Sequence, residues 1–364
     1  MSIELLNSFG WFIFTIVSLK VGDRFFLLTM SEPSKPLKMV TCPGCDAKTF
    51  IPGDLPPLAT EPCKKCGHSI MMPMQLRQFE LRSKVGSGGM ATVYRAWDNT
   101  LERYVAVKLT KKEILSEPNA LENFIREARA CAKLNHTNII HIYTFDEWEG
   151  QSYLVMELAD QGSLDTRIDR FRLLPELDVL DVGIKIASAL NMALKHDLLH
   201  CDIKPGNILF NAEHEPKLVD FGLARRTDAE VETAEYTRGT PYYVAPEKIK
   251  REPETFLSDM YSLGATLYHA VTGQVPFDAP TPEEVVQAHV YNALRPPNEL
   301  EPAITQATSE ALCKALAKDP RDRFMSYDEF IITLEAARAY LLRQQSQMTE
   351  PNEPKRMTSW WKRH

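Results

Sequence analysis

The 364-residue chain has no apolar run approaching the roughly 18–20 residues that a membrane-crossing helix needs. The stretch SFGWFIFTIVSL at 8–19 stops after twelve residues, where Lys20, Asp23 and Arg24 interrupt it. It also lacks the basic leader of a signal peptide, because the only charge ahead of that stretch is Glu4. Positive charge is not in excess: 42 Lys and Arg face 49 Asp and Glu, for a net charge of −7, which argues against a general nucleic-acid binder. Cysteine is scarce and uneven. Four of the seven crowd into residues 42–66, while Cys131, Cys201 and Cys313 stand alone, which excludes a disulfide framework and points to a metal site in a reducing, cytoplasmic compartment. No internal repeat is visible beyond the likeness of two short cysteine hairpins.

At 44% hydrophobic and 25% charged, the chain has ample material for a core, and its length suggests two domains or one large domain with an appendage. The expected division is an apolar N-terminal segment at 1–30, a linker at 31–38, a cysteine module at 39–74, a large domain at 79–342 and a polar, disordered tail at 343–364. The N-terminal segment admits three readings: a weak membrane anchor, a buried extra helix or strand, or translation that begins at Met30, ahead of the polar SEPSKPLK. The tail closes on Trp360, Trp361, Lys362 and Arg363, and neither it nor any other segment after residue 342 is long enough to span a membrane. A membrane partner is therefore not expected, and the input signal is expected to come from inside the cell or through a partner.

From Phe79 the texture is strand-like alternation around glycines, FELRSKVGSGGMATVYRAW, then YVAVKL. An amphipathic helix pattern, NFIREARACAKL, is followed by strand candidates at IIHIYTF and SYLVMEL. Beyond Gly162 the patterns are helical, clearest in LDVGIKIASALNMAL and SDMYSLGATLYHAVTG. A β-rich part at 79–158 and an α-rich part at 159–342 predict an α+β fold of two lobes with a cleft between them.

Cys42-Pro-Gly-Cys45, seventeen intervening residues, then Cys63-Lys-Lys-Cys66 has zinc-ribbon spacing. Two tight turns each aim two thiolates at one point, giving a tetrahedral sulfur site suited to Zn²⁺. With four protein ligands no coordination position stays open, so the metal is structural and supplies much of the folding energy of so small a module. A redox or iron site is the alternative, and His68 is read as a solvated neighbour rather than a ligand. Between residues 38 and 77, Lys38, Lys48, Lys64, Lys65 and Arg77 stand against Asp46, Asp54 and Glu61. Four thiolates on Zn²⁺ bring the module near neutrality, which favours a docked protein partner over nucleic acid.

The remaining chemistry lies in HCDIKPGN at 200–207 and Asp220-Phe221-Gly222. Phosphoryl transfer asks for positioning, metal ligation and charge neutralisation, and Asp202, Lys204, Asn207 and Asp220 carry the groups for all three. Upstream, Gly86, Ser87, Gly88 and Gly89 lie between two strand candidates, and Lys108 of VAVK on the next strand can reach phosphates beneath such a loop. Glu127, in the helix pattern, can pair with Lys108. A Gly-rich loop or a Lys–Glu pair alone is weak, since hairpins use glycine and most such pairs are surface salt bridges.

The set VAVK, HCDIKPGN, DFG and Ala245-Pro246-Glu247, in this order, resembles the protein-kinase family over residues 79–342. Lys204 and Gly239-Thr240-Pro241 are similar to its serine/threonine branch, and the texture resembles the eukaryotic-like kinases of bacteria. The resemblance implies a protein kinase fold, with a β-rich N-lobe at 79–158 and an α-rich C-lobe at 159–342, behind a zinc ribbon. It implies ATP, Mg²⁺ or Mn²⁺, and protein substrates bearing serine or threonine. In this likeness Lys108 holds the α- and β-phosphates, positioned by Glu127. Asp202 receives the acceptor proton, Lys204 neutralises the γ-phosphate, and Asn207 and Asp220 bind Mg²⁺. Backbone groups of Glu157 and Ala159 bind adenine, enclosed by Val93, Ala106 and Leu209. His200 and Phe221 pack, Glu247 pairs with Arg323, and Asp259 braces the catalytic loop.

Three departures modify the expectation. Ala91 replaces the third loop glycine, placing a methyl group where backbone approaches phosphate, with slightly weaker nucleotide binding expected. Cys201 stands where many kinases have an arginine that grips a phosphorylated activation segment, so activity is expected to depend little on Thr233 or Thr237, in a segment already acidic from Glu230, Glu232 and Glu235. Ser163 and Gly206 occupy places that are acidic in kinases selecting basic substrates, so strong selection of that kind is not expected. Competing functions are a pseudokinase scaffold, a zinc-ribbon docking protein and a ribbon-based nucleic-acid regulator. The first is disfavoured because Lys108, Asp202, Asn207 and Asp220 are all present, the last by the near-neutral ribbon.

Overall fold

The computed structural model describes residues 16–21, 24–29, 37–111, 120–221, 225–226 and 241–349. Residues 8–15 of the apolar stretch, Gly222, Thr233, Thr237, Gly239, Thr240 and the tail from 350 lie outside the described residues. The chain divides into two compact units, residues 1–74 and 75–364.

In the first unit, β1 (Ile16–Val21) and β2 (Arg24–Thr29) pair antiparallel, from Ile16 opposite Thr29 to Val21 opposite Arg24, so residues 16–19 of the apolar stretch are strand rather than helix. Two more hairpins follow, β3 (Leu37–Thr41) with β4 (Lys48–Pro52) and β5 (Thr60–Pro62) with β6 (Ser69–Met71). Their common core is small, Ile51, Ile70 and Met72 packed with Cys42 and Cys63. So few apolar side chains give little stability by burial alone.

From the boundary residue Met74 onward the chain builds an antiparallel sheet from β7 (Met74–Leu76), β8 (Phe79–Ser87), β9 (Ala91–Asp98), β10 (Arg103–Thr110), β11 (Ile142–Trp148) and β12 (Gln151–Met156), in the order β11-β12-β10-β9-β8-β7. Period-two alternation buries Val105, Val107 and Leu109 of β10 on one face and turns Ala106 and Lys108 to the other. Lys108 stands opposite both Val93 and Leu154, and Ala106 opposite Met156, so these residues share that second face. Asp98 closes the β9–β10 hairpin by accepting from the Thr100 and Leu101 amides at 3.0 and 3.2 Å. Helix α1 (Ala120–Ala132) buries Phe124, Ala128 and Cys131, one face at i, i+4 and i+7.

The helical part holds α2 (Leu164–Phe171), α3 (Glu176–Lys195), α4 (Pro246–Ile249), α5 (Phe256–Thr272), α6 (Pro282–Tyr291), α7 (Pro297–Leu300), α8 (Gln306–Ala315) and α9 (Tyr327–Thr349). Short strands lie between α3 and α4: β13 (Leu198–Leu199) pairs with β16 (Arg225–Arg226), and β14 (Ile208–Phe210) with β15 (Pro216–Leu218). The core forms where α3 meets α5 and α9. There a Cβ on Gly183 would fall 2.8 Å from Leu267 Cδ1 and 3.1 Å from Leu334 Cδ1, so a side chain at 183 would have to displace these leucine ends. The strand expected at IIHIYTF starts only at Ile142. Ile139 and Ile140 are instead buried in the preceding turn, where the Ile140 amide donates to the Leu218 carbonyl at 3.0 Å and the Leu218 amide to the Asn138 carbonyl at 2.8 Å. Pairing with β15 thus outcompetes extension of β11.

Candidate active site and candidate metal centre

The loop between β13 and β14 is fastened from below. Asp259, in the first turn of α5, accepts the His200 amide at 2.7 Å and the Cys201 amide at 2.8 Å. Burial pushes the Asp259 carboxyl up, against the pull of His200, the two amides and Lys248. His200 Nδ1 accepts the Asp202 amide at 3.3 Å, which leaves the proton on Nε2 to donate to the Val219 carbonyl at 3.0 Å. The Phe221 ring meets His200 edge-on at 4.6 Å. The Val219 amide donates to the Asn207 carbonyl at 3.0 Å, so Val219 zips the aspartate loop to the segment carrying Asp220.

Above this base, Asp202 is gripped through one oxygen. Lys204 Nζ donates to Asp202 Oδ2 at 2.7 Å and Asn207 Nδ2 to the same atom at 2.9 Å, while Asn207 also reaches the Asp202 carbonyl at 2.8 Å. Both grips fall on Oδ2, which directs Oδ1 elsewhere, and the Asn207 amide is used through its nitrogen, leaving its oxygen as a ligand atom. Asp220 is exposed, with φ 66°, the left-handed conformation that strand geometry would not give it.

The cleft walls come from both halves. Val93, Ala106 and Lys108 share the lower face of the sheet, and Lys108 Nζ lies 5.9 Å from the Phe124 ring centroid. The Glu127 side chain lies outside the described residues, so its pairing with Lys108 stays an expectation. Leu209 lies half-buried on β14. Between the halves, the Glu157 amide is committed to the His141 carbonyl at 2.8 Å, which leaves the Glu157 carbonyl for a ligand, and Ala159 is buried two residues on. The Gly-rich turn is closed by the Gly88 amide on the Ala91 carbonyl at 2.9 Å, with Ser87 and Thr92 hydroxyls 3.3 Å apart. A side chain at Gly86 or Gly89 would meet open space.

Two of the departures look different in three dimensions. Ala91 is 3% exposed and belongs to the apolar cluster of Phe124, Ala128 and Leu154, so its methyl group fills the sheet–helix core instead of crowding a phosphate. Ser163 is the N-cap of α2, its hydroxyl accepting the Thr166 amide at 3.1 Å, a structural task that accounts for its identity. Three lysines escaped the sequence reading. Lys217 on β15, opposite Leu209, is buried and pairs with Glu157 at 2.5 Å. Lys111 donates to the Gly88 carbonyl at 2.7 Å, and Lys248 to the Cys201 carbonyl at 2.9 Å. A lysine between Pro216 and Leu218 in a short apolar strand was the one available signal.

In the first unit, the Sγ atoms of Cys42, Cys45, Cys63 and Cys66 all lie within 4.8 Å of one another. Cys42 is 3.6 Å from Cys66, and Cys45 3.9 Å from Cys63. The two turns match bond for bond: the Cys42 amide meets the Ala47 carbonyl and the Asp46 amide the Cys42 carbonyl, as Cys63 meets His68 and Gly67 meets Cys63. The equivalent residues Asp46 and Gly67 are both left-handed, at φ 54° and 75°. His68 packs on Gly44, where a Cβ would come within 2.7 Å of it, and stands outside the four-sulfur cluster. Backbone amides of Cys66 and Lys65 lower the Cys63 thiol to about 6. At Cys66 the His68 amide also lowers the pKa, but the neighbouring sulfurs, Cys45 first, push it up to about 12. This four-sulfur donor set and its spacing fit zinc.

A sheet carrying Lys108, a non-regular connection through Glu157 and Ala159, and a braced aspartate–lysine–asparagine loop in the helical part define a two-lobed α+β architecture. A family model described as "Protein kinase domain" matches residues 79–331, and the chain belongs to the protein kinase family. It is 32% identical over 278 residues to a probable serine/threonine-protein kinase of Clostridium acetobutylicum, covering 76% of this chain and 42% of that protein. It is 36% identical over 267 residues to a probable serine/threonine-protein kinase of Streptomyces coelicolor, covering 71% and 40%. With serine/threonine-protein kinase PknE of Mycobacterium bovis it shares 34% over 266 residues, covering 73% and 47%. The chain spans less than half the length of these relatives. Among the described residues no helix is long and apolar enough to cross a membrane.

Proposed function

We propose that the chain is an ATP-dependent serine/threonine protein kinase, and the observation that carries this reading is the grip of Lys204 and Asn207 on a single oxygen of Asp202. Asp202 Oδ1 then orients a serine or threonine hydroxyl and takes its proton as the hydroxyl oxygen bonds to the γ-phosphorus and the β–γ bridging oxygen leaves with ADP. Lys204 holds its ammonium beside that centre, and Lys108, on the opposite wall with Val93 and Ala106, reaches the α- and β-phosphates with Glu127 as its partner. The Glu157 carbonyl and Ala159 backbone receive adenine over Leu209, and Gly86, Ser87, Gly88 and Gly89 cover the phosphates. Asn207 through its oxygen and Asp220 through its exposed carboxylate would hold Mg²⁺ or Mn²⁺. When bound, that ion neutralises phosphate charge and orients the γ-phosphoryl group.

The cysteine unit we read as a structural zinc ribbon. Its exposed cross-strand pair Met39 and Phe50, beside exposed Leu37, supports docking of a protein rather than of nucleic acid. None of the seven cysteines is in a disulfide, which fits a cytoplasmic setting. The test is transfer from ATP and Mg²⁺ to the protein itself and to a generic substrate, followed by mass spectrometry beside Asp202→Asn. Phosphoserine or phosphothreonine that vanishes in the variant supports the reading. ATP binding without any transfer by the folded wild type would move it to a scaffold.

A further inference from the structure

The residue before Asp202 is held in an uncommon conformation by contacts on both sides. Cys201 has φ 64°, which a non-glycine residue keeps only where its surroundings over-determine it. Its amide is fixed by Asp259 of α5. Its carbonyl is fixed by Lys248 of α4, whose ammonium is in turn paired with Glu254 at 3.2 Å. Lys248 directly follows Glu247, the residue locked to Arg323, so α4 is itself anchored at the point from which Lys248 reaches back.

We propose that Lys248 is a positioning residue that couples the end of the activation segment to the catalytic loop permanently. An arginine at 201 would make such a coupling only when a phosphate appears. Lys248 makes it to a main-chain carbonyl that is always present, so the loop is set without phosphorylation and regulation must act elsewhere. This inference rests on the kinase reading above. A shift of Asp202 by a fraction of an ångström would be felt in turnover far more than in ATP affinity, because alignment of the reacting atoms is what the loop supplies.

The experiment compares phosphatase-treated full-length wild type, Lys248→Met, Lys248→Arg and Glu254→Gln. Steady-state kinetics are run beside hydrogen exchange of residues 200–204. In Lys248→Met, kcat is expected to fall at least about tenfold with KM for ATP within about twofold, and exchange of 200–204 to rise at least about tenfold while α3 and α5 stay protected. Lys248→Arg, which keeps a donor, should return kcat to within about threefold of wild type, and Glu254→Gln should show the same changes more weakly. Should Lys248→Met not fold, Glu254→Gln decides: unchanged kcat and exchange overturn the proposal. Full turnover in Lys248→Met, or loss of wild-type turnover on phosphatase treatment, also overturns it. A wild type that binds ATP yet never transfers phosphate defeats the kinase reading instead, and unaltered exchange in Lys248→Met would then separately remove the brace.

Discussion

Arg323→Met should destabilise the helical part severely. The Arg323 side chain is fully buried, and that of Glu247 is 3% exposed. The guanidinium meets the carboxylate with two parallel bonds of 2.7 and 2.8 Å and satisfies the Leu257 carbonyl at 2.8 Å and the Ala317 carbonyl at 2.9 Å. Without it, Glu247 is a buried anion whose remaining side-chain partner is the Ser258 hydroxyl at 2.7 Å, and the Leu257, Ala317 and Lys318 carbonyls lose a donor. Breaking one side of such a pair costs about 3–5 kcal/mol. With an m value near 3 kcal/mol/M, the urea midpoint followed by circular dichroism should fall by about 1–1.7 M. Adding Glu247→Gln should recover at least about 1 kcal/mol, since the stranded charge is then gone. Burial alone would raise the Glu247 carboxyl, but Arg323 and Ser258 hold it below the usual range. A folded value below the unfolded one means that this stability is complete at neutral pH and is lost as pH falls through the folded value, so the gap between wild type and variant should narrow in acid. Arg321 is the control: its pair with Asp319 is 87% and 37% exposed, and Arg321→Met should leave the midpoint where it is. A loss below about 1 kcal/mol for Arg323→Met would refute the reasoning.

Ala91→Gly should not lower KM for ATP and should cost about 1–2 kcal/mol in chemical denaturation, because it removes a core methyl group and loosens a strand. One zinc per chain is expected by elemental analysis. Cys63→Ser should lose it together with the dispersed amide signals of residues 37–72, while signals of the α3 core persist. Thr233→Ala/Thr237→Ala should leave kcat within about threefold of wild type, and an abolished kcat in a folded protein would refute independence from activation-segment phosphorylation.

The two halves of the large domain were legible because burial writes its period into sequence: VAVK alternates as a strand must, and LDVGIKIASALNMAL repeats as a buried helix must. The cysteine cluster was legible because two-residue spacings fix thiol direction locally. Ile139 and Ile140 were misassigned because their partner, Leu218, is distant in sequence and a short apolar run has no period of its own. The direction of the Ala91 methyl group depended on register with Thr110, which local pattern does not supply. The pairs Lys217–Glu157 and Lys248–Cys201 join residues 60 and 47 positions apart, and a lysine looks the same in sequence whether it ends in water or on a carbonyl.

Asp259 belongs to α5, yet its carboxylate ends on two amides of the catalytic loop. The strain of that loop is thus carried by the packing of the helices beneath it and is settled when they fold. On the proposed kinase reading, activity is a local thermometer for the α3, α5 and α9 core: the loop is expected to lose its setting on heating when α5 loosens, however intact the sheet above it.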